Sequence, residues 1–298
     1  MRHSPLLGRL AAAAAWWGGF WKRLGRACVA SYQDNALGFA KGAAYSALLS
    51  FFPVLTTITA ILVQANAAAV SRSISRFLFE VVPPGTEDLV LRNFLVTGAK
   101  PVSLLIGATL LSIWAASGVM MSLMEGFHAA YRVRDTRGFL SKRLTAVLLV
   151  FAAVMPSVGA SALMLLGRRV EQSLLRWAGV LAIYEETHGW LALFGFVFRY
   201  AVAFGTVVLV TALLYSLGIQ AHRPVRRVWP GAMVATVLWL VATLGFGWYV
   251  RNIANYNVMY GSIGAVVALL VWMYVLAVVA LIGCEYNAEG ERRPAGKA

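Results

Sequence analysis

Residues 255–288 read NYNVMYGSIGAVVALLVWMYVLAVVALIGCEYNA, and this stretch decides the fold class. No charge occurs from 261 to 284. At about 1.5 Å per residue this run reaches roughly 36 Å as a helix, more than the roughly 30 Å of bilayer hydrocarbon, which predicts a membrane-spanning helix. Asn255, Asn257 and Tyr260 make one rim polar and aromatic; Glu285 and Asn287 close the other. Gly261, Ala265 and Ala268 share a face on which another backbone can approach closely, so this helix is expected at the centre of the bundle.

Working outward, the 298 residues are 60% hydrophobic and 13% charged, about half the charged share of a soluble domain. The mean hydropathy is +0.73. Lys and Arg number 26 against 12 Asp and Glu, a net charge of +14. In so apolar a chain that excess favours anionic lipid headgroups over nucleic acid as partner. Cys28 and Cys284 make no disulfide framework and are read as free thiols. Residues 10–21 (LAAAAAWWGGFW) are too few to span, and Lys22, Arg23 and Arg26 stand where a signal peptide would be cleaved; residues 1–34 are therefore an interfacial anchor.

The expected class is all-α: a polytopic membrane protein with six transmembrane helices and short amphipathic interfacial helices. The first span lies at about 42–63, where Ser46, Ser50 and Pro53 fall on one stripe, suited to another helix or a polar cavity rather than to lipid. Residues 64–100 suggest an amphipathic helical hairpin over one mouth of the bundle. The second span, 101–124, ends at Glu125; a polar loop, 127–143, holds Arg132, Arg134, Arg137, Lys142 and Arg143. The third, 144–166, should kink at Pro156, and 167–189 is an amphipathic connection. The fourth, 190–217, carries Arg199 as its only charge; the fifth, 228–250, starts at a Trp229-Pro230-Gly231 turn and includes Gly245 and Gly247, read as a packing seam. Residues 35–288 then form one six-helix membrane domain, followed by a tail at 289–298. Both termini share a side that holds 17 of the 26 basic residues, so the positive-inside rule makes it cytoplasmic.

No enzyme, cofactor or metal site is expected. His3, His128, His188 and His222 are isolated, without the i+4 or i+2 partner of a metal site, and no nucleophile elbow or phosphate-binding glycine loop occurs. Arg199 either snorkels to the outer surface or serves a cavity. Glu125 and Glu285 are either solvated end residues or, paired with each other or with Lys41, a cytoplasmic gate. The candidate polar path comprises Ser46, Ser50, Pro53, Glu125, Arg199, Asn257, Tyr260, Glu285 and Asn287.

Four blocks carry a resemblance: AAYSALLSFFPVL (43–55), WAASGVMMSLMEGFHAAYRVRDTRGF (114–139), PGAMVATVLW (230–239) and the 255–288 stretch. In this order they resemble the YihY/BrkB family of bacterial inner-membrane proteins, over about 35–288. The resemblance implies a six-helix integral protein of the cytoplasmic membrane. It also brings a ribonuclease name, which the histidine spacing does not support, a virulence-factor label and a proposed role in envelope lipid export. The expected function is transport or lipid handling on anionic membrane lipids, with a non-enzymatic scaffold, self-associating or docking envelope proteins, as the alternative.

Overall fold

A computed structural model describes residues 5–64, 102–177, 190–220, 224–252 and 262–292. Among them are seven helices and no strand: α1 (Pro5–Gln33), α2 (Ala36–Gln64), α3 (Val102–Tyr131), α4 (Phe139–Trp177), α5 (Trp190–Gly218), α6 (Val225–Asn252) and α7 (Ser262–Arg292). Six of them, α2 to α7, are long and apolar enough to cross a membrane. The expected hairpin at 64–100, together with Asn255, Asn257 and Tyr260, lies outside the described residues.

The helices overrun the apolar segments that predict them. The loop expected at 127–143 shrinks to 132–138, because α3 continues to Tyr131 and α4 already contains Lys142 and Arg143. Arg132 ends α3 with φ 54°, its N–H bonded to the Ala129 carbonyl and that of Val133 to His128, the wrapped end typical of a helix C-terminus. Asn35, φ 58°, separates α1 from α2 and offers its carbonyl to the amides of Gly38 and Phe39. Asparagine tolerates that left-handed backbone better than most residues. α4 runs through Pro156 and on to Trp177. The expected Trp229-Pro230-Gly231 turn is instead inside α6, for a reason given below.

Neighbouring helices pack in a ring, α2 on α3, then α4, α5, α6 and α7, which returns to α2 and also touches α3 and α1. The main core gathers Ala36, Ala40 and Ala43 of α2, Phe127 of α3, Tyr215 of α5, Val228 and Ala232 of α6, and Leu281 and Cys284 of α7. The helices alternate in direction, so these positions all lie near one face, the one that holds the α1–α2 turn and the end of α7. Phe127 meets Tyr215 edge-on, centroids 5.1 Å apart, and the Tyr215 hydroxyl donates to the Ala280 carbonyl. α1, not among the six spans, lays Phe20, Leu24 and Ala27 on Val234, Leu238 and Tyr286.

α2 and α3 are joined by a polar, small-residue seam. Thr57 and Ser112 share a hydroxyl hydrogen bond of 3.1 Å. Ser46 faces Gly118 and Ser122 faces Gly42 so closely that a Cβ on either glycine would sit 3.2 Å or 3.1 Å from the hydroxyl. The stripe of Ser46, Ser50 and Pro53 is thus a packing face first. α6 and α7 cross differently: Gly231 and Gly283 bring backbone against backbone, and a Cβ on Gly283 would lie 2.7 Å from the Gly231 carbonyl oxygen. Among the described residues no seam forms at Gly245 and Gly247, where one was expected. Of the described residues, a Cβ on Gly245 would meet none within 4 Å, and one on Gly247 only Arg251 of its own helix.

Candidate functional site

Two places bring polar chemistry together. The first is the face where the core lies. Glu285, expected as a solvated end residue as readily as a gate, is 1% exposed, and α7 continues two turns beyond it. Its carboxylate lies 3.7 Å from Arg292, one turn pair further along the helix. Arg292 also reaches Glu289 at 2.8 Å and Asp34 of the α1–α2 turn at 3.3 Å, and donates to the carbonyl of Ala130 in α3. Asp34 pairs with Arg132 at 3.6 Å and Glu289 with Arg26 at 3.6 Å. One guanidinium therefore ties together α7, the α1–α2 turn and the end of α3. Beside it a surface groove of about 450 Å³ is lined by Lys22, Arg26, Arg132, Arg292 and Glu289, among others.

Glu125 is not part of this network: its side chain is 46% exposed and pairs with Lys142 of α4 at 2.9 Å, so it does not face Glu285 across the bundle. Asn287 is buried between α6 and α7, where its side chain accepts the Gly231 N–H at 2.7 Å and donates to the Val228 carbonyl at 2.8 Å. Pro230 has no N–H to give the Arg226 carbonyl four residues back; the turn is held from outside instead, where Asn287 bonds the Val228 carbonyl and the Gly231 N–H on either side of the proline. Nearby, His128 is fixed as a neutral clamp. Its Nδ1 lies 2.6 Å from the Met124 carbonyl and Nε2 accepts the Gln220 N–H at 3.1 Å, which assigns the proton to Nδ1.

The second place is a groove of about 420 Å³ among α2, α3 and α4, with walls that include Ser46, Pro53, Leu49, Leu111, Trp114 and Arg143. Leu49, Leu111 and Trp114 are exposed on the apolar flank of the bundle. Arg143 is the residue that sequence reasoning missed, having assigned it to a loop. Its guanidinium stacks 3.8 Å from the centroid of Trp114 and donates to the Trp114 carbonyl at 2.7 Å and the Met121 sulfur at 2.9 Å. Trp114 precedes Glu125 by eleven residues, about 16 Å along a helix axis, so the charge is carried well below the Glu125–Lys142 pair. Lys142 and Arg143 are adjacent, yet one turns out to the rim and the other inward. No spacing rule separates two such neighbours.

Of the expected path, then, Ser46 and Pro53 meet in this groove. Ser50 is buried and donates to Ala47 of its own helix at 2.9 Å. Arg199 is 9% exposed within α5, which does not line the groove, and so is enclosed by protein. Glu285 and Asn287 belong to the first place, Glu125 to the rim.

The family model described as Virulence factor BrkB matches residues 28–298. The chain is 30% identical to the ribonuclease-like protein YfkH of Bacillus subtilis over 177 residues, 59% of this chain and 62% of that one. It is 25% identical to a UPF0761 membrane protein of Tolumonas auensis (90% of this chain, 83% of the relative) and 28% identical to one of Vibrio vulnificus (85% and 78%). No solved structure matches.

Proposed function

Because the chain belongs to the virulence factor BrkB family of membrane proteins, we propose that it is a non-enzymatic, multi-pass protein of the bacterial cytoplasmic membrane that transports or handles membrane lipids. The observation that carries this reading is the groove of α2, α3 and α4: its floor holds Ser46 and Arg143, and its mouth opens sideways between apolar side chains on the flank that faces lipid. An amphiphile enters such a groove without leaving the membrane. Both termini are cytoplasmic in this reading, which follows the positive-inside bias. The Arg292 network then closes the cytoplasmic end, since one residue moving would release three elements at once. The test is lipid translocation in liposomes and lipid export in cells for wild type, Ser46→Leu and Glu285→Gln. Unchanged export in a full deletion overturns the reading.

A second reading, a scaffold for envelope proteins, is favoured by the basic groove between α1 and the end of α7. Co-purification of one defined partner, lost on Lys22→Glu with Arg26→Glu while lipid movement is absent in every assay, would select it.

A further inference from the structure

We propose that the groove is a phospholipid site in which Arg143 binds the phosphate of an anionic lipid, its acyl chains lying outward over Leu49, Leu111 and Trp114. The proposal deepens the lipid-handling reading and rests on it for the membrane setting of the groove.

A guanidinium within the span of a helix carries a large desolvation cost unless something compensates it, and such residues mark functional sites. Among the described residues the partners of Arg143 are uncharged: a carbonyl, a thioether and an indole face. Of the described residues, the acids near this end of α4 are taken by its neighbour, since Lys142 pairs with Glu125 at 2.9 Å and Asp135 at 3.7 Å. Among the described residues no ion pair includes Arg143, and its Nε is buried without a hydrogen-bond partner. The fork has five N–H donors, of which two are engaged as described and one is the enclosed Nε; the second N–H of each terminal nitrogen can meet two phosphate oxygens bidentately. Ser46 adds a hydroxyl in the same groove.

The shape selects a lipid rather than a dissolved anion. The walls beside the charge are Leu49, Leu111 and Trp114, exposed and apolar, on helices that cross the membrane. A free phosphate would leave those walls against nothing that matches them. A phospholipid covers them with hydrocarbon while its headgroup meets the one cation. Trp114 is shared by both halves of the site, since it stacks under the guanidinium and forms part of the apolar wall.

The test uses the full chain in nanodiscs containing acyl-brominated phosphatidylglycerol or acyl-brominated phosphatidylcholine. Bromine quenches a tryptophan it touches, and subtracting the signal of Trp114→Phe isolates Trp114 from the other nine tryptophans. The expected result is quenching of Trp114 at an about tenfold lower fraction of the glycerol lipid, since both lipids present a phosphate but the choline of phosphatidylcholine sets a second cation beside Arg143. Arg143→Gln abolishes the preference, and Arg143→Lys, which keeps the charge but not the fork, retains part of it. Equal quenching by the two lipids in wild type, or an unchanged preference in Arg143→Gln, overturns the proposal. So does loss of the preference on adding inorganic phosphate at constant ionic strength, which would make this a small-anion site. If Arg143→Gln does not fold, the wild-type comparison and Arg143→Lys decide. Failed export with an intact preference removes the transport reading and leaves the site standing; the reverse removes the site alone.

Discussion

The side chain of Asn287 holds the backbone N–H of Gly231 at 2.7 Å, a bond from the penultimate turn of one helix to the proline-containing turn of another. With the bond to the Val228 carbonyl at 2.8 Å it ties a donor and an acceptor of that turn to α7. Asn287→Leu is expected to lower stability by roughly 1–2 kcal/mol for the two bonds, and Asn287→Asp to do the same because a carboxylate cannot donate to Val228. Thermal unfolding in detergent, followed by circular dichroism, checks both. An unchanged melting temperature in either variant would remove the clamp.

Two glycine substitutions should part company. A Cβ on Gly283 would lie 2.6 Å from Ala235 Cβ, so Gly283→Ala must push α6 and α7 apart and is expected to cost about 1–3 kcal/mol. Gly245→Ala meets none of the described residues within 4 Å and gains helix propensity, so it is expected to be neutral or slightly stabilising. Melting the two variants side by side against wild type tests the position of the crossing.

The two predicted gate carboxylates differ in the same way. Glu125→Ala should cost under about 1 kcal/mol, as for exposed pairs generally. Arg292→Ala strands the buried Glu285 and should cost about 2–3 kcal/mol, below the roughly 3–5 of a fully enclosed pair because Arg292 is itself 28% exposed. Adding Glu285→Gln to Arg292→Ala should restore part of the loss by removing the unpaired charge. A double-mutant cycle by chemical or thermal unfolding reads the coupling.

Sidedness can be read from the two native thiols. Cys28 is exposed and Cys284 buried. A membrane-impermeant maleimide should label Cys28 in inside-out vesicles and spare it in intact spheroplasts, while Cys284 reacts only after unfolding. Labelling of Cys28 in spheroplasts would invert the topology.

The spans were legible in the sequence because a bilayer imposes one requirement, length without charge, that a single window of residues can meet by itself. Glu285 shows where that reading stops. In the chain it follows an apolar run and resembles any residue leaving the membrane, but the groups that enclose it come from elsewhere, Asp34 being 258 positions from Arg292. Gly231 and Gly283 are likewise ordinary until two helices cross at them, whereas Gly245 and Gly247 look the same on paper and meet no other described helix. Ser46 was legible as a contact residue, since a hydroxyl within a span has few alternatives. Arg143 was not, because only the fold decides which of two adjacent cations turns inward.

The helix that closes the ring, α7, comes after every one of its partners in the chain. During synthesis α2, α3 and α6 therefore reach the membrane with the faces that will hold Leu281, Gly283 and Asn287 still uncovered, and the turn at Pro230 has no side chain to complete it. The 31-residue α7 thus completes the ring: a chain cut before it is expected to hold its first five spans in the bilayer yet remain an open array, exposed to membrane quality-control proteases.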